Sequence, residues 1–393
     1  MTPPSNSLDY KVAWLFPSLW RGSYWHPVLS AFTENCPNST IFTANWPGFA
    51  AGLHGTFNVR IVGKFRYIRS GGKKSERTIQ VLPLRIILNL IRFKPDVVFC
   101  VAFSLWTVLA FILKPLMRWK IIIIYDGSSR TVDAVDSNWR LSLRRLLTRH
   151  TDALVTNSSG GKHYLLTYLL AKEHLVYAHP YEVPDLDLLM AASRPDVVAQ
   201  QIRVLLRPVF LFVGQVLTGK GLHHLLQALF LLKDWGAKNF TLMVIGDGPQ
   251  REELENWARQ NGLTEHVVWL GWLQYGQLGY FFQNADLLVF PTLADVWGMV
   301  VLEAMLFGKP ILCSQFAGAA DLVQSGYNGF IFDPADHETL ANYLKRFIDS
   351  PTLLREMGAR SKKMIEPFTA QTAANHLTDI VKVALNGNQY RDS

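Results

Sequence analysis

The chain has 393 residues, a length that favours two domains and argues against a single small binding module. Hydrophobic residues make up 49% and charged residues 18%, and Gly and Pro occur without a period, which excludes disordered, collagen-like and coiled-coil proteins. Three distant cysteines, Cys36, Cys100 and Cys313, exclude a disulfide scaffold and a zinc cluster and suit a reducing compartment. The start of the chain carries Asp9 and Lys11 beside only a short apolar run, so we expect no secretory signal and a cytoplasmic protein.

The net charge of +8 belongs to one half of the chain, because residues 1–200 carry +10 and residues 201–393 carry −2. A basic balance attracts nucleic acid, an anionic membrane surface or an anionic substrate. No nucleic-acid recognition module accompanies the charge, so nucleic acid is the least favoured of these partners.

Short apolar runs alternate with longer amphipathic segments along the whole chain. Runs that are apolar on both faces are typical of parallel strands covered by helices, so the alternation predicts an α/β fold in both halves. In the first half, the predicted strands are Val12–Phe16, Val59–Val62, Asp96–Val101, Ile121–Tyr125 and Ala153–Thr156. In the second half, they are Val209–Val213, Thr241–Ile245, Val267–Leu270, Leu287–Phe290, Ile311–Ser314 and Gly329–Phe332. A charged, proline-containing segment at 184–208 interrupts the rhythm, and we predict domains at 1–195 and 205–367, followed by a C-terminal helix within 368–393.

The uncharged stretch Val97–Leu113 has two interpretations. A transmembrane helix needs about 20 apolar residues. Because Asp96–Val101 has the pattern of a strand, too few residues remain for a spanning helix before the next strand. We therefore favour a buried strand followed by a helix.

A glycine-containing loop, Gly214–Leu222, follows a predicted strand and opens a predicted helix. Its glycines let backbone N–H groups approach an oxyanion, and Lys220 can neutralise a phosphate. An ordinary strand–helix turn with a solvated lysine is the alternative interpretation.

The segment from Phe290 to Pro310 is the most informative in the chain. An acid, Asp295, lies in the loop after a strand, Gly298 lets the chain turn, and a helix is predicted from about residue 299 to residue 308. The free N–H groups at a helix start form an anion site. With Glu303 about one turn further on, the pattern suits a ligand that has a diphosphate, a ribose and a second sugar.

Several segments of the second half together resemble the donor domain of the retaining glycosyltransferase family 4, which has the GT-B fold. They are Gly214–Leu222, Gly246-Asp-Gly-Pro with Arg251, Trp269-Leu-Gly271-Trp272, Asp295–Glu303 with Ala304-Met, Gly308-Lys-Pro310 and Gly318. The first half matches less specifically, mainly through strand order, Val155-Thr-Asn157-Ser and Pro184-Asp185. The resemblance implies two Rossmann-like domains facing a cleft, the first on the acceptor side and the second for the nucleotide sugar, with a C-terminal helix that crosses back to the first.

The resemblance also implies roles for individual residues. Lys220 would contact the diphosphate, the amides from Gly298 to Val300 would cap it, Glu303 would hold the ribose, and Asp295 would hold the transferred sugar and act in catalysis. The full implied donor site consists of Gly214, Gln215, Lys220, Gly298, Met299, Val300 and Glu303. The chain departs from the family pattern at two of these positions. The family often has Arg where this chain has Gln215, and Asp295 is one methylene shorter than the usual Glu.

Two residues of the first half are further catalytic candidates. Many family members have a His after the fourth main strand of this domain, where this chain reads Tyr125-Asp126-Gly127, so Asp126 is the candidate polar group there. A cap for the following turn is an equal alternative for Asp126. His26, in the loop after the first strand, is a candidate whose alternative is a packed or solvent-facing histidine.

The resemblance implies a metal-independent hexosyltransferase that uses a nucleotide-diphosphate sugar, most often a UDP-sugar, as co-substrate and needs no cofactor. The acceptor would be a hydroxyl of a glycolipid, a lipid-linked saccharide or a polysaccharide precursor. A nucleotide-sugar epimerase, a phosphorylase and a catalytically degenerate scaffold are the alternatives. Asp185-Leu-Asp187 looks like a D-x-D metal motif, but it lies in the linker, and we expect no metal site.

Basic residues of the first half suggest peripheral contact with a membrane. The segment Trp139–Arg149 separates arginines from leucines on a helix, and further basic residues are Lys73, Lys74, Arg77, Arg85 and Arg92. Such a face can lie on anionic lipid. A docked helix with a solvated basic face is an equal alternative.

Overall fold

The computed structural model describes residues 8–19, 24–50, 52–64, 66–70, 77–127, 132–192 and 205–386, and for 66–70 and 77–81 it describes the backbone alone. The chain forms two compact units. The first contains Met1–Val183 and Thr369–Ser393, and the second contains Pro184–Phe368. The predicted boundary between 195 and 205 lies outside the described residues, as do the basic residues Lys73 and Lys74.

The first unit is built on a seven-stranded parallel sheet of order β3-β2-β1-β6-β7-β8-β9, and β4 and β5 form a separate antiparallel pair. The strands of this unit are β1 Val12–Phe16, β2 Ser39–Thr43, β3 Val59–Ile61, β4 Arg66–Ser70, β5 Arg77–Val81, β6 Val97–Val101, β7 Lys120–Tyr125, β8 Ala153–Thr156 and β9 Val176–Ala178. Its helices up to the linker are α1 Trp25–Asn35, α2 Ile86–Phe93, α3 Leu105–Met117, α4 Asn138–Arg149 and α5 Ser159–His163.

The second unit is built on a six-stranded parallel sheet of order β12-β11-β10-β13-β14-β15. Its strands are β10 Val209–Val213, β11 Thr241–Ile245, β12 Val267–Gly271, β13 Leu287–Phe290, β14 Ile311–Ser314 and β15 Gly329–Phe332. Its helices are α6 Leu186–Leu189, α7 Leu222–Asp234, α8 Arg251–Gln260, α9 Leu278–Asn284, α10 Met299–Leu306, α11 His337–Asp349 and α12 Pro351–Ile365. Two apolar clusters, one on each face of the sheet, form its core.

The last helix, α13 Ala370–Asn386, belongs to the first unit, where it packs against α1. The side chain of Asn35 donates hydrogen bonds to Asn375 and Thr378 of α13 at 3.0 and 3.2 Å. The α/β class, the two parallel sheets and the return of the C-terminal helix are therefore as predicted.

The uncharged stretch of the first half forms β6 and most of α3, as the strand–helix interpretation predicted. Ser104 caps α3 by accepting a hydrogen bond from Thr107 N at 3.3 Å, which fixes the start of the helix inside the stretch. Within the described ranges, no helix has the length and apolar character that crossing a membrane requires.

Four strands of the first unit were not predicted. In β2, three of five residues are Ser or Thr, so the apolar pattern fails, although every residue is buried. Two of the three hydroxyls have local partners: Ser39 Oγ lies 3.0 Å from Thr33 Oγ1, and Thr43 Oγ1 donates to Asn45 O at 3.2 Å. The strand β9 is only three residues long, and β4 and β5 pair with each other outside the main sheet, so their sequences carry no signal of burial in it.

Candidate functional site

The loop after β10 is held against the loop after β13, because β10 and β13 are neighbours in the sheet. Gly221 begins α7 with φ +70°, and a Cβ at this position would lie 1.9 Å from the carbonyl oxygen of Pro291. Leu293 N donates to Gly219 O at 2.9 Å, which joins the two loops a second time. Glycine at 221 is therefore required for both its dihedral angle and its close backbone approach.

These joined loops bring Lys220 and Asp295 together. Lys220 Nζ lies 2.5 Å from Asp295 Oδ2, and the two side chains remain 27% and 16% exposed. Asp295 is fixed from the other side as well, because Trp297 N donates to its Oδ1 at 3.3 Å and Gly318 N donates to its carbonyl oxygen at 3.0 Å. The pair is a partly desolvated cation and anion on a rigid loop.

The start of α10 lies directly after this pair. Gly298 has φ +104°, and a Cβ there would lie 2.8 Å from the ring of Phe290, so a larger residue would displace the turn. In the first turn of a helix, the N–H groups have no acceptor within the helix. Met299 and Val300 supply such groups, and the helix dipole adds a partial positive charge at the same point.

Glu303 lies one turn further along α10 and is only 4% exposed. Burial raises the pKa of Glu303 to about 7, and the hydroxyl of Tyr275 acts in the opposite direction. A carboxylate that is removed from water at a helix start can accept hydrogen bonds from a vicinal diol at little further desolvation cost.

Gly214 and Gln215 lie in the first residues after β10. Gly214 N donates to Ile245 O at 2.9 Å, and Gly214 O is approached by Gly246, where a Cβ would lie 1.8 Å away. Gln215 is exposed. The structure thus places all seven predicted donor-binding residues in the loops after β10 and β13 or in the first turns of α10.

Asp126 of the first unit lies immediately after β7 and takes part in a buried network. Its carboxylate accepts a hydrogen bond from Tyr181 Oη at 2.9 Å, and burial raises its pKa. Asn157, after β8, donates to Glu182 Oε2 at 2.9 Å and to the carbonyl oxygen of Asp126 at 3.3 Å. Asp126 is therefore anchored to the segment after β9 as well as to the end of its own strand.

His26 lies in the first turn of α1 and is 1% exposed. Its Nδ1 accepts a hydrogen bond from Ala50 N at 2.9 Å, so the neutral ring carries its proton on Nε2. Burial lowers the pKa of His26 to about 4, and its ring packs on Trp46 and Phe57. Its Nε2 is buried and has no hydrogen-bond partner within the described part of the chain. The contacts described for His26 and for Asp126 involve different residues.

Sequence reasoning missed Tyr275, Tyr181 and Glu182. Tyr275 lies in a short 3-10 turn before α9, a position that no motif marks, and the other two lie in the segment that joins the end of the first unit to the linker. The D-x-D segment has a structural role, because the side chain of Asp185 caps α6 by accepting from Leu188 N at 2.9 Å. Across the ranges that the structure describes, no group of three or more His, Cys, Asp or Glu side chains could hold a metal ion.

A family model described as "Glycosyl transferases group 1" matches residues 198–364, which is most of the second unit. The 2-deoxystreptamine glucosyltransferase of Streptomyces kanamyceticus is 33% identical over 168 residues, 42% of this chain and 43% of that protein. The sulfoquinovosyl transferase SQD2 of Arabidopsis thaliana is 23% identical over 336 residues, 82% of this chain and 63% of that protein. The chain thus spans about half the length of the curated relatives that it matches.

Solved structures match the chain over almost its whole length. HepE of Anabaena, crystallised with UDP, has a TM-score of 0.73 at 16% identity and covers 95% of this chain and 99% of its own. The same protein is also solved with UDP-glucose. A glycosyltransferase of Rickettsia africae has a TM-score of 0.73 at 12% identity and covers 96% of this chain and 99% of its own. At these identities the likeness shows the fold, which is the predicted GT-B class of two Rossmann-like domains.

Proposed function

We propose that the protein is a retaining glycosyltransferase that moves a sugar from a nucleotide-diphosphate sugar to an acceptor hydroxyl. The observation that carries this proposal is the pairing of Lys220 with Asp295 directly before the start of α10, with Glu303 buried one turn further on. The match of residues 198–364 to the glycosyl transferases group 1 model supports it, because these residues all lie within that segment.

In the proposed mechanism, the second unit holds the donor. The amides of Met299 and Val300 bind the diphosphate, and Lys220 moves from Asp295 to a diphosphate oxygen when the donor enters. As the glycosidic bond breaks, negative charge grows on the leaving diphosphate, and these preorganised groups stabilise it. Asp295, released from Lys220, then accepts hydrogen bonds from hydroxyls of the transferred sugar.

Lys220 and the helix amides supply the charge stabilisation that a divalent metal provides in other sites, so we propose that transfer is independent of metal. Glu303 binds the ribose diol. We propose a UDP-sugar as donor, since the HepE structures contain UDP and UDP-glucose, and a hexose as the transferred sugar, since the relative from Streptomyces kanamyceticus is a glucosyltransferase.

We propose that the first unit binds the acceptor, with Asp126 and His26 as its catalytic candidates. Residues 1–200 carry the excess positive charge, which suits an acceptor presented at an anionic membrane face. We propose a glycolipid, a lipid-linked saccharide or a polysaccharide precursor as an acceptor presented at such a membrane face. The protein would then act as a peripheral membrane protein on the cytoplasmic side.

The experiment that tests the donor is a thermal-shift panel of UDP-, GDP- and ADP-sugars. A true donor raises the melting temperature by mass action, and UDP alone raises it as well because the diphosphate carries most of the contacts. Transfer to added glycolipid or saccharide acceptors, with and without EDTA, then tests the reaction, and the anomeric configuration of the product tests retention. No shift with any nucleotide sugar contradicts the proposal.

The variant Glu303→Ala tests the site directly, and we expect it to abolish transfer. The matched control is Glu265→Ala, an exposed glutamate of the same unit that lies outside the proposed site. Full activity of the Glu303 variant overturns the donor-site assignment.

A further inference from the structure

An apolar groove of about 640 Å³ lies in the first unit between α3 and α4. Its walls are mainly aliphatic and aromatic side chains, and ligand sites for drug-sized or acyl groups have volumes of this order. The apolar lining residues include Val108, Phe111, Ile112, Leu143, Leu146 and Leu147. Two of these side chains are open to solvent: Ile112 is 66% exposed and Leu146 is 53% exposed.

Large apolar side chains continue from the groove onto the surrounding surface. Leu116, on the same helix as Ile112, is 77% exposed, and Trp139, at the start of α4, is 66% exposed. Contiguous exposed apolar surface is uncommon on soluble proteins and marks a binding site for an apolar partner. Trp and Leu beside cationic side chains are the residues that enter a membrane interface.

One end of the groove has a basic rim. Lys114, Arg118, Lys120 and His150 line it, and the exposed Arg149 precedes His150 at the end of α4. The acid described at this rim is Asp152, which pairs with Lys114 at 2.6 Å and with Lys120 at 3.4 Å. A positive excess therefore remains beside the apolar groove.

Two other arginines of α4, Arg144 and Arg145, have structural contacts. Arg144 Nη1 donates to Tyr164 Oη at 2.9 Å and to Asp133 O at 2.8 Å, and Arg145 Nε donates to Tyr168 O at 2.7 Å. These two side chains hold α4 to its own unit. The docked alternative for the arginine helix thus applies to its middle. At its end, the exposed Arg149 directly precedes His150, which lines the groove.

The groove lies at the amino ends of the strands of this sheet. Arg118, Trp119 and Lys120 lead from α3 into the start of β7, whereas Asp126 follows the end of the same strand. The groove is thus separated by the length of a strand from the edge of the sheet where the catalytic candidate Asp126 lies.

We infer that this groove binds an anionic phospholipid of a membrane surface, with an acyl chain between α3 and α4 and the phosphate at Arg118, Lys120 and Arg149. The charge complementarity between the basic rim and an anionic headgroup identifies the occupant. The inference does not depend on sugar transfer, because the groove shares no residue with the proposed donor site.

The first experiment is sedimentation of the full chain with vesicles of phosphatidylcholine alone and of phosphatidylcholine with phosphatidylglycerol. We expect binding to the anionic vesicles only, and we expect salt to weaken it because salt screens surface charges. Wild-type protein that binds neither vesicle, or both equally, overturns the inference.

Two variants separate the apolar and the basic parts of the site. Ile112→Glu places a carboxylate on the groove wall and should abolish binding, and Ile61→Glu on β3, at 65% exposure, is the matched control that should bind normally. Arg118→Gln combined with Arg149→Gln should weaken binding about 25-fold, since each basic residue near an anionic surface contributes about fivefold. The control for charge is Arg259→Gln combined with Arg355→Gln, two exposed positions of the second unit. Equal binding by a groove variant and its control overturns the inference.

The second experiment uses a short-chain phosphatidylglycerol below its critical micelle concentration and glycerol phosphate, each titrated calorimetrically. We expect the soluble lipid to bind with one site per chain, glycerol phosphate to bind much more weakly, and Ile112→Glu to remove lipid binding. Vesicle binding without binding of the soluble lipid would mean adsorption to a charged surface and would overturn the groove as an acyl-chain site.

Discussion

Replacing Glu303 by Gln should stabilise the protein above neutral pH while it impairs donor binding. In the folded state, burial raises the pKa of Glu303 from 4.5 to about 7. Between these two pH values the folded state holds a proton that the unfolded state has released, so the free energy of unfolding falls as the pH rises. A difference of about 2.5 pH units corresponds to about 3 kcal/mol, all of it expressed above pH 7.

The glutamine side chain has nearly the shape of the protonated acid and carries no charge at any pH. The stability difference between Glu303→Gln and wild type should therefore be small at pH 4.5, grow through pH 5 to 7, and reach about 3 kcal/mol in favour of the variant at pH 8. Urea denaturation at pH 4.5, 6, 7 and 8, followed by tryptophan fluorescence, measures this difference. Glu265→Gln, at an exposed position of the same unit, should show no such trend.

Two results would refute this reasoning. If the variant is no more stable than wild type at pH 8, other groups of the folded protein offset the desolvation of the Glu303 carboxylate, and this residue does not destabilise the fold. If the variant is equally stabilised at pH 4.5 and pH 8, the gain arises from packing and not from desolvation of a charge. Addition of UDP should narrow the difference at pH 8, because it stabilises wild type more than a variant with a weakened ribose contact.

Lys220→Met should weaken UDP binding about 10- to 100-fold, which is the range expected for the loss of one charged hydrogen bond. The control Lys238→Met, at an exposed position, should leave the dissociation constant for UDP unchanged. Equal affinities of the two variants for UDP, measured by calorimetry, would contradict the diphosphate role of Lys220. Gly221→Ala should lower the free energy of unfolding, measured by urea titration, by about 2 kcal/mol or more, because it combines a left-handed backbone with a backbone clash. Gly219→Ala, whose Cβ meets no atom within 4 Å, should leave the free energy of unfolding nearly unchanged. His26, with its pKa lowered to about 4, should stay neutral from pH 8 to pH 5 in the folded protein. Because this histidine binds a proton near pH 6.5 in the unfolded chain, the free energy of unfolding should fall as the pH falls from 6.5 to 4. An imidazole NMR signal of His26 that titrates near 6.5 would show that the ring is solvated.

The sequence predicts the strands of the second sheet almost residue by residue, because most of them are short runs of apolar residues that are bounded by turn residues and buried on both faces. For β10, β11, β13, β14 and β15 the predicted and observed limits coincide. The strand β2 shows where this method ends. Two of its hydroxyls can be buried because Thr33 and Asn45, which lie outside the strand, hydrogen-bond to them, and an apolar pattern does not reveal such polar partners.

The same distinction holds for the candidate site. Glycine positions such as Gly221 and Gly298 could be predicted, since a tight turn before a helix needs the left-handed backbone that glycine adopts easily. The pairing of Lys220 with Asp295 could not, because 75 residues separate them and only the adjacency of β10 and β13 brings them together. Tyr275 was missed for the same reason, since its effect on Glu303 depends on a contact between distant segments.

The position of α13 determines the order in which the chain can fold during synthesis. The second unit, Pro184–Phe368, is continuous, so all of its residues have been synthesised before the last helix is translated. The first unit is different, because α1 is covered by α13, whose Ala374, Leu377 and Val381 are buried. The half of the protein that is made first is therefore completed last, and a truncation at the C-terminus damages the amino-terminal unit while the central one keeps all of its residues.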